Sequence, residues 1–226
     1  LRRAARLLGG MTLASGTDAG VAEQVIRKHP KRRLRFHLRP QLQCPAVDLD
    51  MGELKAKYIR LDQASAAGPG GYRNSYLRAL TLAVDDKGLA AHRYFANLFL
   101  NGKLPSWFYK LKVAVRVACL TDSNDAAQNR KVRPIALTCC QKRAWTSALM
   151  KQKSASLARF LQPYQVAVGI KGGAHLVPLA INTHLALHPD HVVVSLDIRN
   201  AFNEGERALI MEAIGANECT RFLVPL

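Results

Sequence analysis

The segment "HVVVSLDIRNAFNEGERALIMEAI", residues 191–214, decides how the fold of this chain is interpreted. Its apolar run at 192–196 is short and rich in valine, which predicts a buried β-strand that ends on Asp197. The polar residues that follow predict a helix. A carboxylate at the end of a strand can hold a divalent cation on a rigid support, and it can equally cap the following turn. The spacing alone leaves both roles open.

The composition is that of a globular protein with a strong excess of positive charge. Of the 226 residues, 49% are hydrophobic and 22% are charged, which excludes wholesale disorder. The formal net charge is +17 and the pI is about 10.1, which favours a polyanion such as nucleic acid as the partner. Basic side chains outnumber acidic ones by 10 to 2 in residues 1–43 and by 12 to 2 in residues 110–171. Residues 172–226, which include Asp197, are acidic instead, with 3 basic and 6 acidic side chains.

The cysteine pattern and the hydropathy predict an intracellular protein outside the membrane. The five cysteines form no C-x-x-C pair and no disulfide framework, which predicts reduced thiols. No apolar run is long enough to cross a bilayer. The opening "LRRAARLLGGMTLASG" is rich in arginine and poor in acidic residues, as organelle transit peptides are. Because it begins with leucine, we expect an excerpt or a processed chain.

Hydrophobic periodicity and capping residues predict several helices before residue 191. Asp18 and either Asn74 or Ser75 are placed to start helices, while Pro30 and Gly102 are placed to end them. A further helix is predicted over "LVPLAINTHLALH", residues 176–188. The positions expected to face the core are Leu54, Tyr58, Leu61, Leu77, Leu80, Trp145, Leu149 and Leu157.

Two adjacent segments in the middle of the chain predict a strand and a long helix. "VRPIALT", residues 132–138, predicts a strand, and its Pro134 suits the edge of a sheet or the start of a strand because proline cannot donate a ladder hydrogen bond. The polar residues 121–131 before it predict a hairpin-like connection. "CCQKRAWTSALMKQKSASLARFL", residues 139–161, predicts one long amphipathic helix whose lysines face solvent.

Two segments could contact phosphate groups. "SAAGPGGYRNSYLRAL", residues 65–80, places a glycine-rich loop before a helix, which can cradle phosphate or simply form a turn. It lacks the G-K-[ST] ending of a P-loop and the preceding strand of a dinucleotide fold. "KRRLRFHLRP", residues 31–40, includes Arg32 and Arg33 and is either a solvated charge run or a phosphate contact.

Three histidines follow the spacing of one helix face. His184, His188 and His191 lie at i, i+4 and i+7, a spacing that could hold zinc. Pro189 interrupts the helix between the second and the third of them, which argues against a joint site. A metal site is therefore not the expected reading of these residues.

Several segments resemble, in order, those of one enzyme family. "VVVSLDIRNAFN" resembles motif A of reverse transcriptases, particularly those of non-LTR retrotransposons. "RKVRPIALTCCQKRAWTSAL" resembles the fingers segment of that family, and "LQPYQVAVGIKGGAH" resembles the next block, built around a glutamine and glycines. "SAAGPGGYRNSYLRAL" resembles the upstream Ala-Gly-Pro block, "NGKLPSWF" the Gly-x-Leu-Pro turn, and "LLGG…VIRKHP" the region before the polymerase core. The resemblance spans nearly the whole chain.

The resemblance implies an α+β fold, namely the fingers and partial palm of a right-handed polymerase with a small antiparallel sheet, packed helices and a basic groove. Residues 1–43 would form a basic helical extension, residues 44–190 the fingers and residues 191–226 the start of the palm. Asp197 would be the catalytic metal ligand, and the backbone carbonyl of Ile198 would supply a second oxygen.

The resemblance also implies roles at the incoming nucleotide. Arg133, and less directly Lys131, would contact its triphosphate, since a guanidinium pairs well with phosphate oxygens. Phe202 would be the steric gate that excludes a 2′-hydroxyl. Gln165 would lie along the template and nucleotide side of the site. The residues themselves leave other roles open, with Phe202 in the core, Arg133 in a salt bridge and Gln165 bonded within a turn.

The implied partners are an RNA template, a DNA primer and deoxynucleoside triphosphates, with no membrane and no identified protein partner. Mg²⁺ would be the cofactor, with Mn²⁺ as the alternative ion. Template and primer would lie against the basic 1–43 and 110–171 segments, held mainly through phosphates. The residues assigned to this contact are Lys142, Arg143, Lys171, Arg32 and Arg33. Such enzymes act on chromosomal DNA, so the resemblance implies a nuclear or cytoplasmic location, with an organelle less supported.

The sequence departs from the family pattern at two places. "CLTDSND" stands where relatives often carry a lysine before Arg-Pro-Ile, which argues against one phosphate contact of the family. The aromatic-x-Asp-Asp block of the family does not occur in the 226 residues. The pair Asp85–Asp86 is preceded by valine and flanked by helix-like sequence, which predicts a surface turn. We therefore expect the 226-residue chain to be inactive by itself; the alternative is a decayed or domesticated fragment that binds RNA or has a structural role without catalysis.

Overall fold

The computed structural model describes residues 11–14, 18–29, 44–65, 67–83, 85–122, 132–198 and 201–225. These residues combine many helices with one small antiparallel sheet, which confirms the α+β prediction at this level. The strands are β1 (Met11–Leu13), β2 (Arg116–Asp122) and β3 (Val132–Leu137). The helices are α1 (Ala19–Arg27), α2 (Met51–Ile59), α3 (Asn74–Ala79), α4 (Lys87–Leu100), α5 (Ser106–Val113), α6 (Cys140–Gln152), α7 (Ser154–Leu161), α8 (Gly173–Leu187), α9 (Ala201–Glu204) and α10 (Arg207–Ala216), followed by a 3₁₀ turn at Arg221–Leu223.

The sheet has the order β1-β2-β3, and both pairings are antiparallel. β2 and β3 pair from Arg116 opposite Leu137 to Thr121 opposite Val132, so they form the two arms of the predicted hairpin. Pro134 lies on β3, which is an edge strand of the sheet in the described part of the chain. Its missing N–H is tolerated there, and the edge-strand prediction is confirmed.

Helix α1 begins and packs as its sequence predicts. The carboxylate of Asp18 accepts hydrogen bonds from the backbone N–H of Gly20 at 2.9 Å and of Val21 at 3.3 Å. The buried side chain of Val21 packs with Cys119 and Val132, so α1 covers one face of the sheet. The helix predicted from Asp18 and the hydrophobic periodicity is confirmed.

The main core lies between α2, α4 and α6. The predicted core residues Leu54, Tyr58, Trp145 and Leu149 are each 0% exposed. The indole Nε1 of Trp145 donates to the Tyr58 hydroxyl at 2.9 Å, and that hydroxyl lies 2.6 Å from Nδ1 of His92. Burial raises the pKa of Tyr58 and lowers the pKa of His92. The polar atoms of these large side chains are therefore satisfied inside the core.

The predicted long helix over 139–161 is two helices. α6 ends at Gln152 and α7 begins at Ser154, with Lys153 between them. The hydroxyl of Ser156 donates to the Lys153 carbonyl at 2.9 Å, so a side chain bonds to the backbone at the interruption. Leu157 is nevertheless buried as predicted.

Two glycines allow close contacts between backbone segments before and at the start of α8. Gly169 has φ +73°, and a Cβ there would lie 2.7 Å from the Cβ of Ala158 on α7. A Cβ at Gly173, the first residue of α8, would lie 1.7 Å from the carbonyl oxygen of Val166. Glycine therefore fits both positions and a larger residue does not. The rest of α8 is largely exposed, with Leu179 at 64%.

The predicted strand at 192–197 is wrong. Residues 191–198 belong to neither a helix nor a strand, and all of them are exposed, with Val192 at 85% and Leu196 at 88%. A strand needs a partner to accept its backbone hydrogen bonds, and the described residues provide none for this segment. Helices α9 and α10 follow, as the polar pattern after Asp197 predicts. Beyond them, the buried side chain of Phe222 joins the main core.

Candidate nucleic-acid interface

An open cleft of about 510 Å³ lies between the glycine-rich loop and the start of β2. Residues 63–65, 67–69, 71 and 73 form the loop side, and Arg116 forms the strand side. The cleft therefore joins two segments that are more than forty residues apart in the sequence.

Gly68 anchors the loop on the start of α6. A Cβ at Gly68 would lie 2.6 Å from the carbonyl oxygen of Thr138, so the loop packs directly on the residues before that helix. The N–H of Gly71, whose φ is +70°, donates to the Gly68 carbonyl at 3.0 Å and closes a tight turn. A Cβ at Gly70 would meet no atom within 4 Å. The turn role is thus confirmed for this loop, and the outer side of the turn is open to a ligand.

Arginine side chains give the cleft its positive charge. Arg73 and Arg116 line it, and both are exposed. The guanidinium of Arg143 on α6 donates to the Ser65 hydroxyl at 3.4 Å, which places a third arginine at the rim. Asp62 lies next to the loop, where its carboxylate accepts from the N–H of Ala64 at 3.0 Å.

Carboxylates do not neutralise these arginines within the part of the chain that the structure describes. The ion pairs found there join Arg27 to Glu23, Lys55 to Asp86, Lys87 to Asp85 and Arg93 to Asp48. The cleft arginines take part in none of them, so their charge is available to an anionic ligand. The same pairs place Asp85 and Asp86 in an exposed turn, as predicted.

Arg133 extends the positive surface along the sheet. It pairs with Leu120, while Arg116 pairs with Leu137, and the alternation of side chains puts both arginines on one face of the sheet. The two positions are four residue steps apart on β2, or about 13 Å along the strand. Arg133 is exposed and forms no salt bridge with a described residue, so it can contact a ligand that extends beyond the cleft.

The other residues predicted to contact the nucleic acid or the nucleotide, where the structure describes them, do not line the cleft. Lys142 is half-buried on α6, and Lys171 is exposed before α8. The side-chain carbonyl of Gln165 accepts from the N–H of Ala167 at 2.7 Å, which is the bond of a turn. Lys131, Arg32 and Arg33 lie outside the described residues.

Asp197 and Ile198 are exposed on the irregular segment, with Ile198 at 74%. Phe202 lies in α9, but its side chain is outside the described part. As the described side chains stand, no three His, Cys, Asp or Glu residues are arranged to hold a metal ion. Asp197 is exposed and belongs to no such group, so the described residues do not fit a Mg²⁺ site, which needs several oxygen ligands around one point.

A polar cluster that the sequence did not predict lies beneath the cleft. Nζ of Lys112 lies 2.6 Å from Oε1 of Gln141 and 3.5 Å from Sγ of Cys139, the residue before α6. A hydrogen bond from the Cys140 thiol, the N–H groups at the helix start and Lys112 lower the pKa of Cys139. Lys112 is thus engaged within this cluster and does not line the cleft. A cysteine directly before a helix was the signal in the sequence.

No protein-family model matches the chain, and searches among curated proteins and solved structures found no similar protein. In the part of the chain that the structure describes, none of the helices combines the length and apolarity that a bilayer crossing demands. The structural feature that bears on function is the cleft with its arginines.

Proposed function

We propose that the chain is part of a reverse transcriptase of the non-LTR retrotransposon type, and that its arginine-lined cleft holds the phosphates of the nucleic acid. The observation that carries the proposal is the group of Arg73, Arg116 and Arg143 around an open cleft, without carboxylate partners among the described residues. A guanidinium presents several N–H donors in one plane, which suits the oxygens of a phosphate. The net charge of +17 is consistent with this role.

The position of two segments supports the assignment to this family. The Ala-Gly-Pro loop at 65–80 and the segment at 130–149 resemble separate blocks of the family, and Gly68 of the first packs on Thr138 of the second. The two segments thus build one surface. Under the proposal, Arg133 contacts the triphosphate of the incoming nucleotide, while Arg73 and Arg116 contact the RNA template or the DNA primer.

Nucleotidyl transfer would require more than the described residues supply. Asp197 would be one metal-binding carboxylate, Phe202 would act at the sugar, and the resemblance implies a second carboxylate from an aromatic-x-Asp-Asp block, which the 226 residues do not contain. This part of the proposal rests on the resemblance.

A second candidate function is RNA binding without catalysis. The exposed position of Asp197 on a segment that is neither helix nor strand, and outside any group of three described residues able to hold a metal ion, favours it. In this case the cleft would have the same role, and the motif around Asp197 would be a remnant.

Substitution of two cleft arginines tests the phosphate contact. Affinity for a single-stranded RNA and for an RNA–DNA hybrid is measured by fluorescence anisotropy over a series of salt concentrations. We expect Arg73→Ala with Arg116→Ala to weaken binding to both and to lower the slope of log K against log salt by about one per lost contact. The control is Arg159→Ala, which removes an exposed arginine of α7. Equal affinity and slope for the double variant and the control would contradict the proposal.

Primer extension separates the two functions. In a translation product that also contains an aromatic-x-Asp-Asp block, Asp197→Ala should abolish Mg²⁺-dependent extension and leave RNA affinity unchanged. The 226-residue chain by itself should bind RNA without extending a primer. Extension that survives Asp197→Ala would refute the catalytic role of this residue. A longer product that binds RNA and never extends a primer would favour the non-catalytic candidate.

A further inference from the structure

Three histidine rings meet at the end of α8, although Pro189 interrupts the helix there. The helix places His184 and His188 one turn apart, and the N–H of His188 donates to the His184 carbonyl at 2.9 Å. A turn then follows in which the N–H of His191 donates to the His188 carbonyl at 3.0 Å. This turn brings His191 back onto the other two rings. The helix ends before Pro189 as the sequence predicted, and the turn nevertheless keeps the third histidine beside the other two.

The rings form a closed group. Their centroids are 4.6 Å apart for His184 and His188, 5.0 Å for His184 and His191, and 4.8 Å for His188 and His191. Nε2 of His184 lies 2.9 Å from Nδ1 of His191. All three side chains are exposed, so water and ions can reach them.

These distances are close to those of three imidazoles on one metal ion. With Zn–N bonds of about 2.0–2.1 Å in tetrahedral geometry, two bound nitrogens lie roughly 3.3 Å apart and two ring centroids roughly 5.2 Å apart. The rings as they stand do not yet point three nitrogens at one centre, since two of them share a hydrogen bond and the third stacks on its neighbour. A metal site therefore requires the rings to change rotamer so that the shared hydrogen bond is replaced by metal bonds, and the exposure of all three side chains leaves room for such a change.

We propose that His184, His188 and His191 form a site for a divalent transition metal such as Zn²⁺, with water as the fourth ligand. Neutral imidazole suits Zn²⁺, Cu²⁺ and Ni²⁺ and does not suit Mg²⁺, so this site is separate from any ion at Asp197. The metal would tie the end of α8 to residue 191, where the exposed segment that carries Asp197 begins. Its role would thus be to order this segment.

Calorimetric titration with ZnCl₂ tests the site, using chain without a polyhistidine tag at pH 7.5. We expect one Zn²⁺ per chain and a loss of affinity of about tenfold or more in each of His184→Ala, His188→Ala and His191→Ala, since even the loss of a supporting residue costs 10- to 100-fold. The matched control is His175→Ala, in the first turn of the same helix. A second control, Cys219→Ser, removes an exposed thiol that could bind zinc independently. Both controls should keep the affinity of the parent chain.

Two further measurements distinguish a defined site from loose association. Co²⁺ should give a visible absorption band of tetrahedral intensity that disappears in His188→Ala. Hydrogen exchange at residues 191–198 should slow when Zn²⁺ is added, and only if all three histidines are present. Affinity that is unchanged in the three variants, binding that depends on Cys219, or no binding of Zn²⁺ would overturn the proposal.

Discussion

At Gly68, the absence of a side chain allows the glycine-rich loop to lie against the start of α6. The buried Gly68 faces the Thr138 carbonyl, whereas Gly70 in the same loop faces open space. The sequence shows a run of glycines and does not indicate which of them would tolerate a side chain. The tertiary contact does, because the backbone of the distant segment at Thr138 leaves no space for a Cβ at Gly68.

The first prediction compares these two glycines. We expect Gly68→Ala to lower the free energy of unfolding by about 1–3 kcal/mol, since a Cβ would lie 2.6 Å from a backbone oxygen that cannot rotate away. Gly70→Ala should change it by less than about 0.5 kcal/mol. Urea unfolding followed by tryptophan fluorescence measures both. Equal stability of the two variants would show that the loop does not pack on Thr138.

At the scale of the elements, helix ends were predictable where capping residues mark them, whereas the strand predicted at 192–197 was wrong. The start of α1 at Asp18 and the end of α4 near Gly102 depend on local capping chemistry, which the sequence displays directly. The edge strand β3 was also predictable, because Pro134 restricts where a strand can lie. The run at 192–196 has the composition of a strand, but a strand forms only with a partner, and composition does not supply one.

The second prediction concerns the junction between the irregular segment and α8. We expect Gly173→Ala to destabilise the chain by about 1–3 kcal/mol, because a Cβ would lie 1.7 Å from the Val166 carbonyl and the start of α8 would have to move. The control is Gly88→Ala in α4, where a Cβ would meet Leu80 at an ordinary 3.6 Å.

The control substitution should stabilise the chain by about 0.5–1 kcal/mol, since alanine favours a helix over glycine. Thermal unfolding followed by circular dichroism at 222 nm measures both variants. If both substitutions changed the stability in the same direction, the close approach of Gly173 to Val166 would not exist in solution.

At the scale of the whole molecule, the sequence predicted an excess of positive charge, and the structure shows that part of it lies around one cleft. The excess of arginine and lysine indicated an anionic partner, but Arg73, Arg116 and Arg143 lie on three separate elements. Their proximity results from the packing of the loop on α6 and of β2 on β3, which local sequence patterns do not contain. Arg133 was predicted as a contact and lies on the same sheet face as Arg116, whereas Gln165 lies in a turn instead.

The last prediction tests where the core of the molecule ends. Leu149, in an amphipathic helix, is 0% exposed, whereas Leu196, in the apolar run at 192–196, is 88% exposed. We expect Leu149→Ala to lower the free energy of unfolding by about 2–5 kcal/mol, because it leaves a cavity in the packed core. Leu196→Ala should change it by less than about 0.5 kcal/mol, because its side chain has little contact to lose.

Both leucine variants are compared in urea unfolding at one protein concentration, with sedimentation velocity to determine their assembly state. A loss of more than about 2 kcal/mol in Leu196→Ala would show that residues 192–198 are buried in solution. In that case sedimentation distinguishes the two ways of burying them. A monomer would place the segment against its own core, while a parent dimer that dissociates on Leu196→Ala would place it against a second copy of the chain.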